Sequence, residues 1–245
     1  MNYKSNHFYQ LSGENNKYKD KGFEIFGVSL DQSREKWLKA IRQLLIEQGV
    51  FTHKLASPFD ATKHRFNDGR ADPAGRIWIS TLVDARTPAT AALYCIESGV
   101  SHLEIPDLIV GNGLAFSPDQ RWLYVANSDP AAAQWWRFAV QADGSLATGE
   151  LFADATDAVS SQPGLPDGLK VLPSGQILAT GPGGIWVFSA SGQQLGLLQL
   201  PVAAANLALS EDRQYLYITA SSYLLRMALK PLNGFRIMAF AQIVH

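Results

Sequence analysis

The chain of 245 residues contains one cysteine, Cys95. It can therefore form no internal disulfide, no thiolate zinc cluster and no C-x-x-C redox pair. Charge is scarce and balanced: 18% of residues are charged, and 21 Lys and Arg against 22 Asp and Glu leave a net charge of -1. No basic field for nucleic acid or an acidic membrane surface results, so neither partner is expected. No window approaches the roughly 18 apolar residues that a membrane-spanning helix needs. The stretch MNYKSNHFYQLSGENNK is polar and lacks the apolar core of a signal peptide, which predicts a cytoplasmic chain. Apolar residues, in contrast, make up 47% of the sequence, enough for a substantial core in one large domain or two small ones.

Two textures divide the chain near residue 60. Before it, GFEIFGVSL reads as a strand, and REKWLKAIRQLLIEQ as a helix with Trp37, Ile41, Leu44 and Leu45 on one face. After Phe66 only short β-rich runs appear, separated by Gly, Pro, Asp and Ser. The predicted domains are a strand-helix segment over 1–54 and a β domain over 55–245.

The β domain repeats itself. DPAGRIWIS from Asp72, SPDQRWLYVA from Ser117, LPSGQILAT from Leu172 and SEDRQYLYIT from Ser210 each join a polar turn to an aromatic or β-branched strand. Pro73, Pro118, Pro173 and Glu211 are 45, 55 and 38 residues apart. Four-stranded propeller blades of about 40 to 50 residues have that period. Ahead of each hairpin comes an Asn or Asp turn, beginning at Asn67, Asn112, Asp167 and Asn206.

Inner strands of propeller blades converge on one axis, so four such side chains would form a ring of oxygen donors. With no Cys or His in the ring, a hard cation suits it better than zinc. Asn-Gly and Asp-Gly are also ordinary turn dipeptides that tolerate positive φ, and that simpler reading stays open at this point. Cys95, in AALYCIES, reads as a small buried hydrophobe, and Trp135-Trp136 as packing between blades.

HRFNDGRADPAGRIWISTL at 64–82, GNGLAFSPDQRWLYVANS at 111–128, LPDGLKVLPSGQILATGPGGIWVFSASGQQLG at 165–196 and the following ANLALSEDRQYLYITASSYLLRM resemble the senescence-marker-protein/gluconolactonase/luciferin-regenerating-enzyme family. The resemblance implies an all-β, six-bladed propeller with one axial divalent cation, calcium first, with zinc, magnesium or manganese as the other choices. It implies Asn112 and Asp167 as metal ligands and Asp167 as general base. Arg65 and Asn67 match positions that contact the substrate, and Asp84 is the nearest counterpart of a further acidic residue there. The implied activity is hydrolysis of a lactone; a truncated, more open pocket would also accept esters and phosphotriesters, which place a polarised C=O or P=O on the same cation. The alternative is a non-catalytic propeller remnant that binds partners.

The family pattern breaks at the amino-terminal side. About four blades are recognisable, only 64 residues precede Arg65, and the family's first-blade glutamate ligand has no counterpart. Glu14, Glu24 and Asp60 are the candidate donors in its place, none of them at a matching position. Residues 16–43 resemble part of a thioredoxin-like domain without its redox cysteines. An incomplete ring would leave apolar blade faces and strand edges uncovered, so a homodimer or higher oligomer is expected.

Overall fold

A computed structural model describes residues 58–59, 63–83, 91–97, 100–108, 110–210, 212–229 and 242–243. The strand-helix segment at 1–54 and Asp84 lie outside the described residues. Among these, the strands are β1 (His64–Ala71), β2 (Ile77–Val83), β3 (Ala91–Glu97), β4 (Val100–Leu108), β5 (Gly111–Phe116), β6 (Trp122–Asp129), β7 (Ala132–Ala139) and β8 (Glu150–Asp154). They continue with β9 (Leu169–Val171), β10 (Ile177–Gly181), β11 (Gly184–Phe188), β12 (Gln194–Gln199), β13 (Ala204–Leu209), β14 (Tyr215–Ala220), β15 (Tyr223–Ala228) and β16 (Gln242–Ile243). No α-helix occurs among the described residues, and one 3-10 turn spans Thr156–Ala158.

The sixteen strands form four antiparallel sheets of four, each in chain order: β1 to β4, β5 to β8, β9 to β12 and β13 to β16. The first strands of the sheets pack in succession, β1 on β5, β5 on β9 and β9 on β13. Four blades of a β-propeller result, with β1, β5, β9 and β13 innermost.

Each repeated turn uses one residue in the left-handed region. Gly75 (φ 85), Gln120 (φ 60), Gly175 (φ 83) and Arg213 (φ 56) occupy the same place in the four hairpins. Their N–H groups donate to the carbonyls of Asp72, Ser117, Leu172 and Ser210, three residues back, at 2.8 to 3.0 Å. The turn geometry is therefore kept even where the residue is not glycine. In the first hairpin the buried Asp72 carboxylate accepts from Ala74 N, Arg76 N, Arg76 Nε and Trp78 Nε1 at 2.7 to 3.0 Å. Arg76 Nη1 then donates to Gly144 O of the second blade at 3.2 Å, which ties the turn to its neighbour.

Three apolar layers lie between successive blades. Trp78, Leu93, Leu114, Leu123, Val125 and Phe138 join the first to the second. Tyr124, Trp135, Leu169, Ile177 and Phe188 join the second to the third, and Leu178, Val187, Leu207, Leu216 and Ile218 join the third to the fourth. The β6 strand sends Leu123 and Val125 into one layer and Tyr124 and Ala126 into the next. Burial on both faces is why WLYVA and ILAT show no polar alternation. In β14, by contrast, Leu216, Ile218 and Ala220 are buried while Tyr215, Tyr217 and Thr219 are half-buried. Cys95 is buried in the first layer, and that burial pushes its thiol up to about 11, so it is no nucleophile. Trp135 packs between the second and third blades, and Trp136 lies against the first layer.

A left-handed backbone costs an L-residue about 1–2 kcal/mol relative to glycine, partly offset by glycine's entropy. Arg213→Gly is therefore expected to raise the urea midpoint, and Gly175→Ala to lower it. Equal midpoints for all three proteins would refute this account of the turns.

Candidate active site

At the ends of the inner strands opposite the hairpin turns, the ladders are interrupted. The register shifts between Phe66 and Gly69 in β1, between Gly111 and Leu114 in β5, and between Ala204 and Asn206 in β13. Such bulges leave residues outside the regular pairing and re-aim their side chains. Hydroxyls of the second strand fill the gaps. Ser80 Oγ accepts from Asp68 N and donates to Asp68 O, both at 3.2 Å. Thr219 Oγ1 accepts from Asn206 N at 3.1 Å and donates to Asn206 O at 3.3 Å. Thr180 Oγ1 donates to Gly168 O at 3.1 Å.

The glycines of the Asn-Gly and Asp-Gly pairs have an unexpected role. Neither Gly113 nor Gly168 has positive φ, so turn conformation does not explain them. A Cβ on Gly113 would lie 2.8 Å from Gly168 Cα, and one on Gly168 would lie 2.9 Å from Asn206 Cα. They are glycines because adjacent inner strands press backbone against backbone at this point.

This contact sets Asn112 of the second blade beside Asp167 of the third. Asn112 Nδ2 donates to Ser128 Oγ at 2.8 Å, and Ser128 Oγ donates in turn to Pro166 O in the turn that carries Asp167. Among the described residues, Asn112 Oδ1 accepts no hydrogen bond. Burial, reinforced by the negative charge of Asp68, pushes the Asp167 carboxyl up to about 7, against the pull of the Asn112 amide, the Gly168 N–H and Lys170. Asp68 is itself raised by burial, with Lys170 opposing. Lys170, on β9, has its ammonium lowered by burial while Asp68 and Asp167 support the charge. The cluster is thus Asp68, Asn112, Asp167 and Lys170, drawn from three blades.

The other residues expected at the site are placed differently. Asn67 is buried, and its Nδ2 donates to Gly111 O at 2.9 Å, which staples the first blade to the second. Asn206 Oδ1 accepts from Leu207 N at 2.8 Å and from Lys170 Nζ at 3.3 Å. Counted back from its hairpin, Asn206 stands one residue later than Asn67, Asn112 and Asp167, at the place held by Asp68 in the first blade. The expected ring of four equivalent Asn and Asp side chains is therefore replaced by an uneven group with two carboxylates. Arg65 is exposed on β1 and pairs with Leu82 in the ladder. Asp68 and Lys170 are the residues that motif reading passed over.

The donors fit a hard cation as far as they go: Asn112 offers an amide oxygen with no other partner among the described residues, and Asp167 a carboxylate whose charge is poorly compensated. Among the described residues no group of three His, Cys, Asp or Glu side chains could hold a metal ion.

Residues 27–222 match the SMP-30/Gluconolactonase/LRE-like region, and the chain belongs to that family. The match includes residues 27–54, ahead of the β domain. The 6-deoxy-6-sulfogluconolactonase of Pseudomonas putida is 33% identical over 184 residues, covering 73% of this chain and 62% of that protein. The gluconolactonase of Zymomonas mobilis is 35% identical over 141 residues, covering 55% of this chain and 37% of the relative. The chain thus spans less than two thirds of the length of either. A solved gluconolactonase of Xanthomonas campestris shares 30% identity, with a TM-score of 0.59 over 72% of this chain and 61% of that one. A calcium-binding regucalcin of Agrobacterium tumefaciens shares the fold, with a TM-score of 0.61 over 71% of this chain and 59% of that one, at 23% identity.

Two outcomes follow for stability. Gly113→Ala is expected to cost about 1–3 kcal/mol in urea unfolding, because backbone and not a flexible side chain blocks the new methyl group. A neutral substitution would show that the blades are not in contact there. Asp167 has a native pKa above its unfolded value, so its contribution to stability is full at low pH and is lost as pH rises through about 7. Asp167→Asn should therefore stabilise the metal-free protein at pH 8 and change little at pH 4. Equal effects at both pH values would contradict the raised carboxyl.

Proposed function

We propose that the chain hydrolyses lactones, sugar lactones first, with Asp167 as general base. The observation that carries this reading is the juxtaposition of the Asp167 carboxyl with the Asn112 amide at the junction of the second and third blades, where a base within reach of a bound water could act. Water adds to the lactone carbonyl carbon and passes its proton to Asp167. The ring C–O bond then breaks, the ring oxygen takes that proton back, and an aldonic acid leaves. Asn112, held by Ser128, keeps the base oriented.

Asn112 Oδ1 and the Asp167 carboxylate would hold a divalent cation, calcium by preference. When bound, it would polarise the carbonyl and lower the pKa of a water. The relatives' names support the substrate class, and the regucalcin described as calcium-binding supports the metal. Aryl esters and phosphotriesters present a comparable polarised oxygen and enter the reading as secondary substrates. The rival is a non-catalytic propeller that binds partners.

The deciding experiment measures hydrolysis of glucono-lactone, an aryl ester and a phosphotriester, with and without EDTA and with calcium restored. Turnover of the lactone, lost with EDTA and lowered at least about 100-fold in Asp167→Ala, is expected. Absence of turnover with every metal added would establish the rival instead.

A further inference from the structure

Lys170 is not accounted for by the reading above. It sits on β9, the innermost strand of the third blade, only three residues beyond Asp167. Its Nζ donates to Leu169 O at 3.1 Å and to Asn206 Oδ1 of the fourth blade at 3.3 Å. These two bonds fix the ammonium but leave the third N–H without a partner among the described residues. Its charge acts on Asp68 and Asp167, yet neither carboxylate closes to an ion pair with it. A half-buried lysine normally completes such a pair or extends to solvent. Here the two acceptors hold it back, and Arg70 repels it from the side of the first blade.

Asp167 belongs to the same blade as Lys170 and Asp68 to the first, so carboxylates of two blades act on this one ammonium. The arrangement anchors a cation by two acceptors close to the proposed base, with one N–H left to donate among the described residues.

We propose that Lys170 is a substrate-contacting residue that receives the carbonyl oxygen of the lactone as negative charge develops on it, and afterwards the carboxylate of the aldonate product. The inference rests on the lactonase reading and assigns its oxyanion partner. A preorganised donor of this kind acts in the transition state more than in the ground state, because only there is the oxygen charged.

Two measurements on the full chain test it. In the first, Lys170→Met and Lys170→Arg are compared with the wild type on glucono-lactone. Lys170→Met is expected to lower kcat about 10- to 1,000-fold with KM changed far less, and Lys170→Arg to recover part of the loss. In the second, the wild-type protein is labelled with acetic anhydride in the presence and absence of gluconate, and modification of Lys170 is read by peptide mass spectrometry. Gluconate is expected to protect Lys170 while surface lysines stay equally labelled. The second measurement needs no turnover and no variant, so it judges Lys170 even if the lactonase reading fails in the hydrolysis assay. Wild-type kcat in Lys170→Met, or equal labelling of Lys170 with and without gluconate, overturns the proposal.

Discussion

The close approach of neighbouring inner strands is the constraint on which the rest depends. Gly113 lies against Gly168, and Gly168 against Asn206, with no room for a methyl group at either point. Only with backbones this near can Ser128 reach from the second blade to Pro166 in the third, and so hold Asn112 beside Asp167. The same nearness crowds Asp68 and Asp167 and withdraws both from water, which is what raises their carboxyls. Packing and site chemistry are thus one arrangement. A looser ring would bury its carboxylates less, and would have a weaker base near neutral pH.

Much of the scaffold could be read directly from the chain. Three of the four turns carry Pro at one offset and two carry Gly two residues after it, and the hairpins after them form as their alternation implies. The doubly buried runs in β6 and β10 announce interior blades, and the more amphipathic β14 a blade with one packed face among the described residues. The pairing of Asn112 with Asp167 was legible because both open a Gly-containing turn at one phase of the repeat.

What escaped has physical reasons. Asp68 follows Asn67 in NDGR, and nothing in the sequence says which side of the strand each will face. The bulge decides that: Asn67 turns to Gly111, and Asp68 toward the cluster. Lys170 reads as a surface lysine on a strand, and only the fold brings Asp68, about a hundred residues earlier in the chain, to bear on it alongside the nearby Asp167. Asn206 is like Asn112 in leading a short apolar run. Counting five residues back from Ser210 reaches Ala205 instead, so the register of the hairpin was the better guide. The glycines were misleading in a different manner, since their dipeptides suggested a turn where the structure has an interface.

The doubly buried blades carry a further consequence for how the molecule comes apart. Among the described residues the main contacts between blades join neighbours in the arc, as in a linear repeat, so cooperativity is passed from interface to interface. The second and third blades each have an apolar layer on both faces, whereas the described layers cover one face of the first and one of the fourth. Opening to solvent is then graded, and the amide hydrogens of β6 and β10 should be among the last to exchange. Asn112 and Asp167 stand at the junction of those two middle blades, so the pair lies in the part of the arc that outlasts the fraying of its ends.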